Sequence, residues 1–392
     1  MKIISINAGS SSLKFSLFNM DTKEVIVSGL FERIGIDGSC YTVKYNGEKI
    51  KEEIELETHT DAVKILLDKL ITLNIIESLD EIDGVGHRLV HGKDKYKESC
   101  LITDEVVEDL LKFKDFAPLH NPANVLGVKA FKEVLPKVPM VGVFDTAFHQ
   151  TIAEDAYLYP VPYSWYKEHG VRKYGFHGTS HRYITKTICE KLGREDLKII
   201  SCHVGNGGSI TAIKDGKCVD TSMGFTPLAG IMMGTRSGDI DSSIITYIME
   251  QEGLNAKEVI DILNKKSGLL GLSEISSDMR DIVKAMEEND EKAIRAFEKY
   301  TRTVTNYIAQ YYVLLGGADV ICFTAGLGEN SEPFRAKVCK NLECLGIKLD
   351  NEANKVMGEF KKISSTDSKI DVYVVPTDEE LMIALDTLKL IN

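Results

Sequence analysis

The sequence predicts an α/β protein built from two duplicated domains, and three observations carry that prediction. The first eighteen residues form an apolar strand around Ile3–Ile6, a small polar tip, Asn7-Ala8-Gly9-Ser10-Ser11-Ser12, and a returning strand from Leu13 to Phe18. A second hairpin of the same design begins at Ile199, with its tip at Gly205-Asn206-Gly207-Gly208, and both copies open on Ile-Ile-Ser. Strands also dominate the start of each half and helices its end, as a repeated unit requires. Glycine-bounded hairpin tips make concave sites of backbone amides that hold anions without a net positive protein. Two of them suit a phosphate chain gripped from both sides in a cleft between domains.

Taken in order, Glu24 to Arg33 reads as a third strand, and Ser39 to Ile50 as a β segment turning at Tyr45-Asn46-Gly47. Thr60 to Ile76 has helical periodicity, with Ala62, Ile65, Leu66, Leu70 and Leu73 on one stripe and Thr60 or Asp61 as N-cap. Asp83 to Val90 is a strand running into His87-Arg88-Leu89-Val90-His91-Gly92. Helices are expected at Thr103–Phe113 and Asn121–Val134, the latter with Pro122 in its first turn. Pro139 to Phe144 is a buried strand with Asp145 just past its carboxyl end, where open α/β sheets gather ligands. The proline-punctuated stretch Tyr157 to Tyr163 reads as a linker into the second half. A helix from His181 to Leu192 precedes the second hairpin. Further helices are expected at Ile240–Glu250, Asn255–Lys265, Asp281–Glu287 and Asp290–Leu315, then a strand at Val320–Thr324 and a glycine-rich turn, Gly326 to Asn330. A strand at Val372–Val375 and a helix at Leu381–Leu390 close the chain.

Composition narrows the class. The 392 residues allow two ordinary cores, and a formal charge of −12 disfavours nucleic acid and anionic membrane as partners. No apolar run reaches membrane-spanning length. Eight cysteines with no C-x-x-C spacing fit reduced thiols and a cytoplasmic location. There is neither a Walker A pattern nor a protein-kinase signature.

Several residues could carry chemistry. Lys14 and the hydroxyls of Ser10 and Ser12 suit phosphate, and Asn7 offers a carboxamide oxygen of the kind hydrated Mg²⁺ takes. Arg88 with Val90 beside it suits a short carboxylic acid, the guanidinium pairing the carboxylate and the apolar group facing the tail. His177 and His181 stand four apart, but there is no intervening Glu of an H-E-x-x-H site, and Thr179 or Ser180 caps the next helix, so His177 reads as a loop donor to an anion. Arg236 lies in a glycine-bounded loop, either paired with Asp239 or Asp241 or reaching into a cleft.

The blocks N-A-G-S-S-S-L-K from Asn7, G-H-R-L-V-H-G from Gly86, A-P-L-H-N-P from Ala117 and V-F-D-T-A-F-H from Val143 together resemble the acetokinase family. So do K-Y-G-F-H-G-T-S-H from Lys173, H-V-G-N-G from His203, G-T-R-S-G-D from Gly234, F-T-A-G-L-G-E-N from Phe323 and T-D-E-E-L from Thr377. That family lies in the superfamily of acetate and sugar kinases, heat-shock ATPases and actin. The resemblance implies a duplicated actin-like ATPase fold with ribonuclease H-like βββαβα cores. Its domains would be residues 1–148 with 381–392, and 149–380. It implies reversible phosphoryl transfer from ATP to acetate, giving acetyl phosphate and ADP, with Mg²⁺ (or Mn²⁺ in its place), in a homodimer.

By matching position, Asn7 and Glu379 would place the metal. Lys14, Ser10, Ser12, His203, Val204, Gly205, Asn206, Gly207, Asp278, Met279, Arg280, Gly326, Leu327, Gly328, Glu329 and Asn330 would line the nucleotide site. Arg88 would hold the carboxylate, and Val90, Leu119, Phe176 and Pro227 would enclose the methyl group. His177 and Arg236 would stabilise the transferring phosphoryl group, with Asp145 as the acidic residue. A carboxylic acid of pKa about 4–5 is already ionised at neutral pH. Asp145 is therefore expected to orient metal-bound water or Arg236 rather than abstract a proton. The alternatives are a kinase for propionate or butyrate, a pyrophosphate-using variant with a blocked adenosine site, and a non-metabolic ATPase of the same fold, which would lack Arg88 and the apolar pocket.

Overall fold

A computed structural model describes every residue from Met1 to Asn392 except Leu119. The chain forms two compact units, Met1–Phe148 with Asp378–Asn392, and His149–Thr377. The return to the first unit thus falls at Asp378, three residues before the expected boundary, because Asp378 caps the closing helix by accepting from Leu381 N (2.8 Å). Tyr157–Tyr163, read as a linker, lies inside the second unit.

The first unit has strands β1 (Lys2–Ala8), β2 (Ser12–Asn19), β3 (Glu24–Glu32), β4 (Cys40–Tyr45), β5 (Glu48–Glu53), β6 (Ile82–Leu89), β7 (Cys100–Leu101) and β8 (Met140–Phe144). Its sheet runs β5-β4-β3-β2-β1-β6-β8-β7, antiparallel from β5 to β1, and parallel across β1, β6 and β8. Helices α1 (His59–Thr72), α2 (Asp104–Lys112) and α3 (Asn121–Val134) belong to it. Val63, Leu66 and Leu70 of α1 and Val125, Val128 and Phe131 of α3 join Ile4, Ile6, Phe15 and Leu17 in one core. The cap of α1 is Thr58, not Thr60 or Asp61. Asp61 N donates to Thr58 Oγ1 (3.3 Å) while Thr58 N donates to Asp61 Oδ2 (2.9 Å), so Asp61 is the reciprocal partner of a capping box.

The second unit repeats the scheme with β9 (Lys198–Val204), β10 (Gly208–Lys214), β11 (Lys217–Thr221), β12 (Val320–Thr324), β13 (Lys361–Lys362) and β14 (Asp371–Val374), ordered β11-β10-β9-β12-β14-β13. Three antiparallel strands followed by two parallel ones occur in both sheets (β3-β2-β1-β6-β8 and β11-β10-β9-β12-β14), which is the ribonuclease H-like core twice over. Its helices are α4 (Glu154–Tyr157), α5 (Tyr163–His169), α6 (Gly178–Leu192), α7 (Ser243–Glu252), α8 (Ala256–Lys265), α9 (Gly268–Ser273), α10 (Met279–Glu287), α11 (Glu291–Leu314), α12 (Ala325–Asn330) and α13 (Glu332–Asn341).

Two expectations are corrected there. Helix α6 starts at Gly178, ahead of Thr179 and Ser180, with His177 at the cap position in left-handed backbone (φ 58°). The expected glycine-rich turn at Gly326–Asn330 is the short helix α12. Glycine weakens a helix, but here Glu329 Oε1 accepts from Ala325 N (2.7 Å), and buried Arg335 donates to the carbonyls of Gly328 (3.0 Å) and Glu329 (2.9 Å).

The chain then returns as α14 (Glu379–Ile391) across β1, β6 and β8. Gly86 permits that approach, since a Cβ there would lie 2.3 Å from Thr387 Oγ1 and 2.5 Å from Ile383 Cγ2. The described residues contain no helix long and apolar enough to cross a membrane.

Candidate active site

In the first unit the parallel strands β1, β6 and β8 end side by side, and each delivers one polar residue. Asn7 lies near the end of β1, Arg88 near the end of β6, and Asp145 follows β8 with its N–H on Leu89 O (2.9 Å). Arg88 Nε donates to Asp145 Oδ2 (3.1 Å), Nη2 reaches the same oxygen, and Nη1 donates to Asn7 Oδ1 (3.3 Å). Asp145 is 1 % exposed, whereas the Arg88 side chain keeps 22 % of its surface. Burial alone would lower the Arg88 pKa, but Asp145 and then Glu379 outweigh it, so the guanidinium is held firmly charged. Glu379, in the first turn of α14, is pushed up to about 7 by burial and by repulsion from Asp145, tempered by Arg88.

Val90 is buried beside this cluster, its N–H on Asn124 Oδ1 (3.1 Å), while Asn124 Nδ2 donates to Ala8 O (3.0 Å). The hairpin tip is closed by Gly9 N on Ser12 O (2.9 Å) and tied to α1 through His59 Nε2 and Gly9 O (2.8 Å). Ser10 is exposed and Ser12 half-buried. Lys14 is half-exposed and ion-paired with Glu380. Leu119 lies outside the described residues.

In the second unit the tip of the β9–β10 hairpin meets His177 and Arg236. A Cβ at Gly207 would stand 3.4 Å from Arg236 Nη1 and 3.7 Å from His177 Cε1 and Nε2. Arg236 Nη1 donates to Pro227 O (3.1 Å), and burial lowers its pKa from the ordinary guanidinium value. The ring of His177 stacks on His203 (centroids 4.2 Å apart), and buried Phe176 precedes it. Next to the hairpin tip opens a cavity of about 880 Å³ lined by Gly205, Asn206, Asp278, Met279, Arg280, Gly326, Leu327 and Asn330, together with Val283, Pro333 and Met357. Within it Arg280 is locked onto Asp278 by Nε contacts of 3.0 and 3.1 Å.

Other residues expected at the nucleotide face elsewhere. Val204 is fully buried in the core, and the Gly328 carbonyl is taken by Arg335. The Glu329 carboxylate accepts from Ala325 N and Thr377 N (3.1 Å) and is not in the cavity lining.

The Acetokinase family model matches residues 2–385. The chain belongs to the acetokinase family. It is 56 % identical to an acetate kinase of Anoxybacillus flavithermus over 100 % of this chain and 99 % of that one. A crystal structure of Porphyromonas gingivalis acetate kinase superposes with a TM-score of 0.96 at 46 % identity, covering 100 % of both chains. A Francisella tularensis propionate kinase superposes with a TM-score of 0.94 at 38 % identity over 99 % of each. The chain thus has the actin-like ATPase fold with two α/β domains.

Some residues that brace these candidate clusters carry no mark in the sequence. Asn124 and His59, which brace the first hairpin, come from helices and have no local motif to mark them. Ser209 and His181, buried behind His177, lie in segments that read as an ordinary strand and helix. The D-x-R spacing of Asp278 and Arg280 is a local signal for their ion pair.

Proposed function

We propose that this acetokinase-family chain transfers the γ-phosphoryl group of ATP reversibly to acetate, giving acetyl phosphate and ADP. The observation that carries this reading is full-length identity above 50 % to relatives that are acetate kinases. The side chains are suited to it. Acetate is ionised at neutral pH, so its oxygen attacks phosphorus without a base, and catalysis rests on placement and charge. Arg88 pairs the carboxylate and Val90 meets the methyl group. Asp145 holds the guanidinium of Arg88 in place. His177 and Arg236 donate to the equatorial phosphoryl oxygens, where charge spreads in the transition state. The cavity at Asp278–Arg280 and Gly326–Asn330 takes the adenosine. Lys14, with the hairpin hydroxyls, meets phosphate once released from Glu380.

The carboxamide of Asn7 and the crowded carboxylates of Glu379 and Asp145 are hard oxygen donors that suit Mg²⁺, with Mn²⁺ as a substitute. Asn7 and Glu379 would hold it, and bound there it would neutralise phosphate charge. Mg²⁺ keeps several water and phosphate ligands, so one or two protein oxygens suffice to place it. A cytoplasmic location fits eight free cysteines.

A kinase of propionate is the second reading, favoured by the Francisella tularensis relative. One methylene in an apolar pocket changes transition-state binding by about 1–3 kcal/mol. Trapping acyl phosphate as hydroxamate is therefore expected to show kcat/KM for acetate roughly 10–200 times that for propionate. A larger value for propionate would reverse the assignment of substrate.

A second copy of the chain completes the proposal. Helix α7 carries Ile244, Ile245, Tyr247, Ile248 and Met249 yet buries none of them, and Tyr247 is 61 % exposed. Such an apolar helix needs a cover, and a homodimer supplies one. Light scattering is expected to give twice the 43.6 kDa chain mass and to fall to the chain mass in Tyr247→Glu with Ile244→Glu. A monomeric parent protein would remove the dimer.

A further inference from the structure

His177 can donate to a phosphoryl oxygen only if Nε2 carries its proton, and the buried groups behind it bear on that. His177 Nδ1 lies 2.9 Å from Ser209 Oγ, which lies 2.7 Å from His181 Nε2, while His181 Nδ1 is 2.9 Å from Ser201 Oγ. Ser201, Ser209 and His181 are all fully buried. The row therefore runs Ser201–His181–Ser209–His177 and ends at the hairpin tip, toward which the Nε2 edge of His177 faces.

Two proton arrangements satisfy the central links. In one, His181 Nδ1–H donates to Ser201, and the buried Ser201 hydroxyl hydrogen is left with no acceptor among the described residues. In the other, Ser201 O–H donates to His181 Nδ1, His181 Nε2–H donates to Ser209, and Ser209 O–H donates to His177 Nδ1. Both hydroxyl hydrogens and the His181 N–H are used in that row, and a buried hydroxyl without an acceptor is costly. Desolvation, with His149 and His203 adding to it, holds His181 neutral, as a row with one donor and one acceptor on its ring requires. The stacked ring of His203, whose Nδ1 meets Ser180 Oγ at 2.8 Å, adds a second restraint on the orientation of His177.

We propose that Ser201, His181 and Ser209 are positioning residues that fix His177 as the neutral Nε2–H tautomer, a donor aimed at the transferring group before substrate arrives. This rests on the reading of His177 as a phosphoryl donor. The tautomer itself is measured without turnover.

Two-bond ¹H–¹⁵N spectra of histidine-labelled enzyme, with the His177 signals assigned by their loss in His177→Gln, are expected to show a protonated Nε2 and a bare Nδ1 at neutral pH. Ser209→Ala is expected to give a mixture of tautomers. Its kcat should fall roughly tenfold, part of the 10²–10³ that loss of a whole donor costs, with KM for ATP and acetate nearly unchanged. A protonated Nδ1 in the parent enzyme overturns the proposal, as does Ser209→Ala with unchanged tautomer and kcat. Full activity in His177→Gln would instead refute the donor role while leaving the tautomer reading standing.

Discussion

Arg88→Ala is expected to lower kcat/KM for acetate by about a thousandfold or more. The guanidinium is the one group of the Asn7–Arg88–Asp145 cluster able to pair a carboxylate in a two-point, charge-assisted fork. Its loss also takes a cation away from Asp145, which is 1 % exposed and repels Glu379. Removing one partner of a buried ion pair costs about 3–5 kcal/mol, so the variant should also melt lower. Two further variants separate substrate binding from folding. Arg88→Lys keeps the charge but loses the fork, and should raise KM for acetate. Arg88→Ala with Asp145→Asn should regain much of the stability without regaining activity. A normal KM for acetate in Arg88→Lys would remove Arg88 from the acid site.

Arg236→Ala is expected to act on turnover instead. Its Nη1 stands over the tip glycine Gly207 and shares that position with His177. A donor aimed at charge that develops only in the transition state contributes about 10²–10³ to kcat and little to ground-state binding. Steady-state rates should therefore show kcat falling by that factor with KM for both substrates within a few-fold of normal. The fold should survive, since the guanidinium anchors its loop mainly through one hydrogen bond, to the Pro227 carbonyl. A kcat within threefold of the parent would show that Arg236 holds the loop rather than the phosphoryl group.

Much of the fold is readable from sequence because the informative residues sit in local patterns. The alternation from Ile3 to Phe18 and the glycines at 205, 207 and 208 define hairpins without knowledge of the rest of the chain, and Asp145 is marked by the apolar strand it follows. The pairing of Asp145 with Arg88 is another matter. It joins residues 57 apart and depends on the register of β6 on β8, Leu89 opposite Phe144, which no spacing reveals. Helix α12 is hidden for a related reason. Its glycines argue against a helix, and its supports, Arg335 and the Glu329 carboxylate, act through tertiary contacts that override local propensity. The place of Glu329 after a glycine-rich segment points to the nucleotide, yet its carboxylate caps backbone N–H groups. Met357 enters the cavity lining from a distant loop and carries no chemical mark of its own.

The opening hairpin is proposed as a phosphate site, and the ion pair at Lys14 sets a condition on that proposal. Lys14 is held by Glu380, so the local cation of the first tip must leave a carboxylate before it meets phosphate. The second tip needs no such release, since Gly207 already faces Arg236 and His177.

The most direct test is ³¹P NMR of the purified protein with Mg²⁺, ATP and acetate. The predicted spectrum gains acetyl phosphate and ADP in equal amounts, and the same mixture is reached from acetyl phosphate and ADP. Loss of ATP to inorganic phosphate alone, with no acyl phosphate signal from either direction, would contradict the assignment of acetate as phosphoryl acceptor.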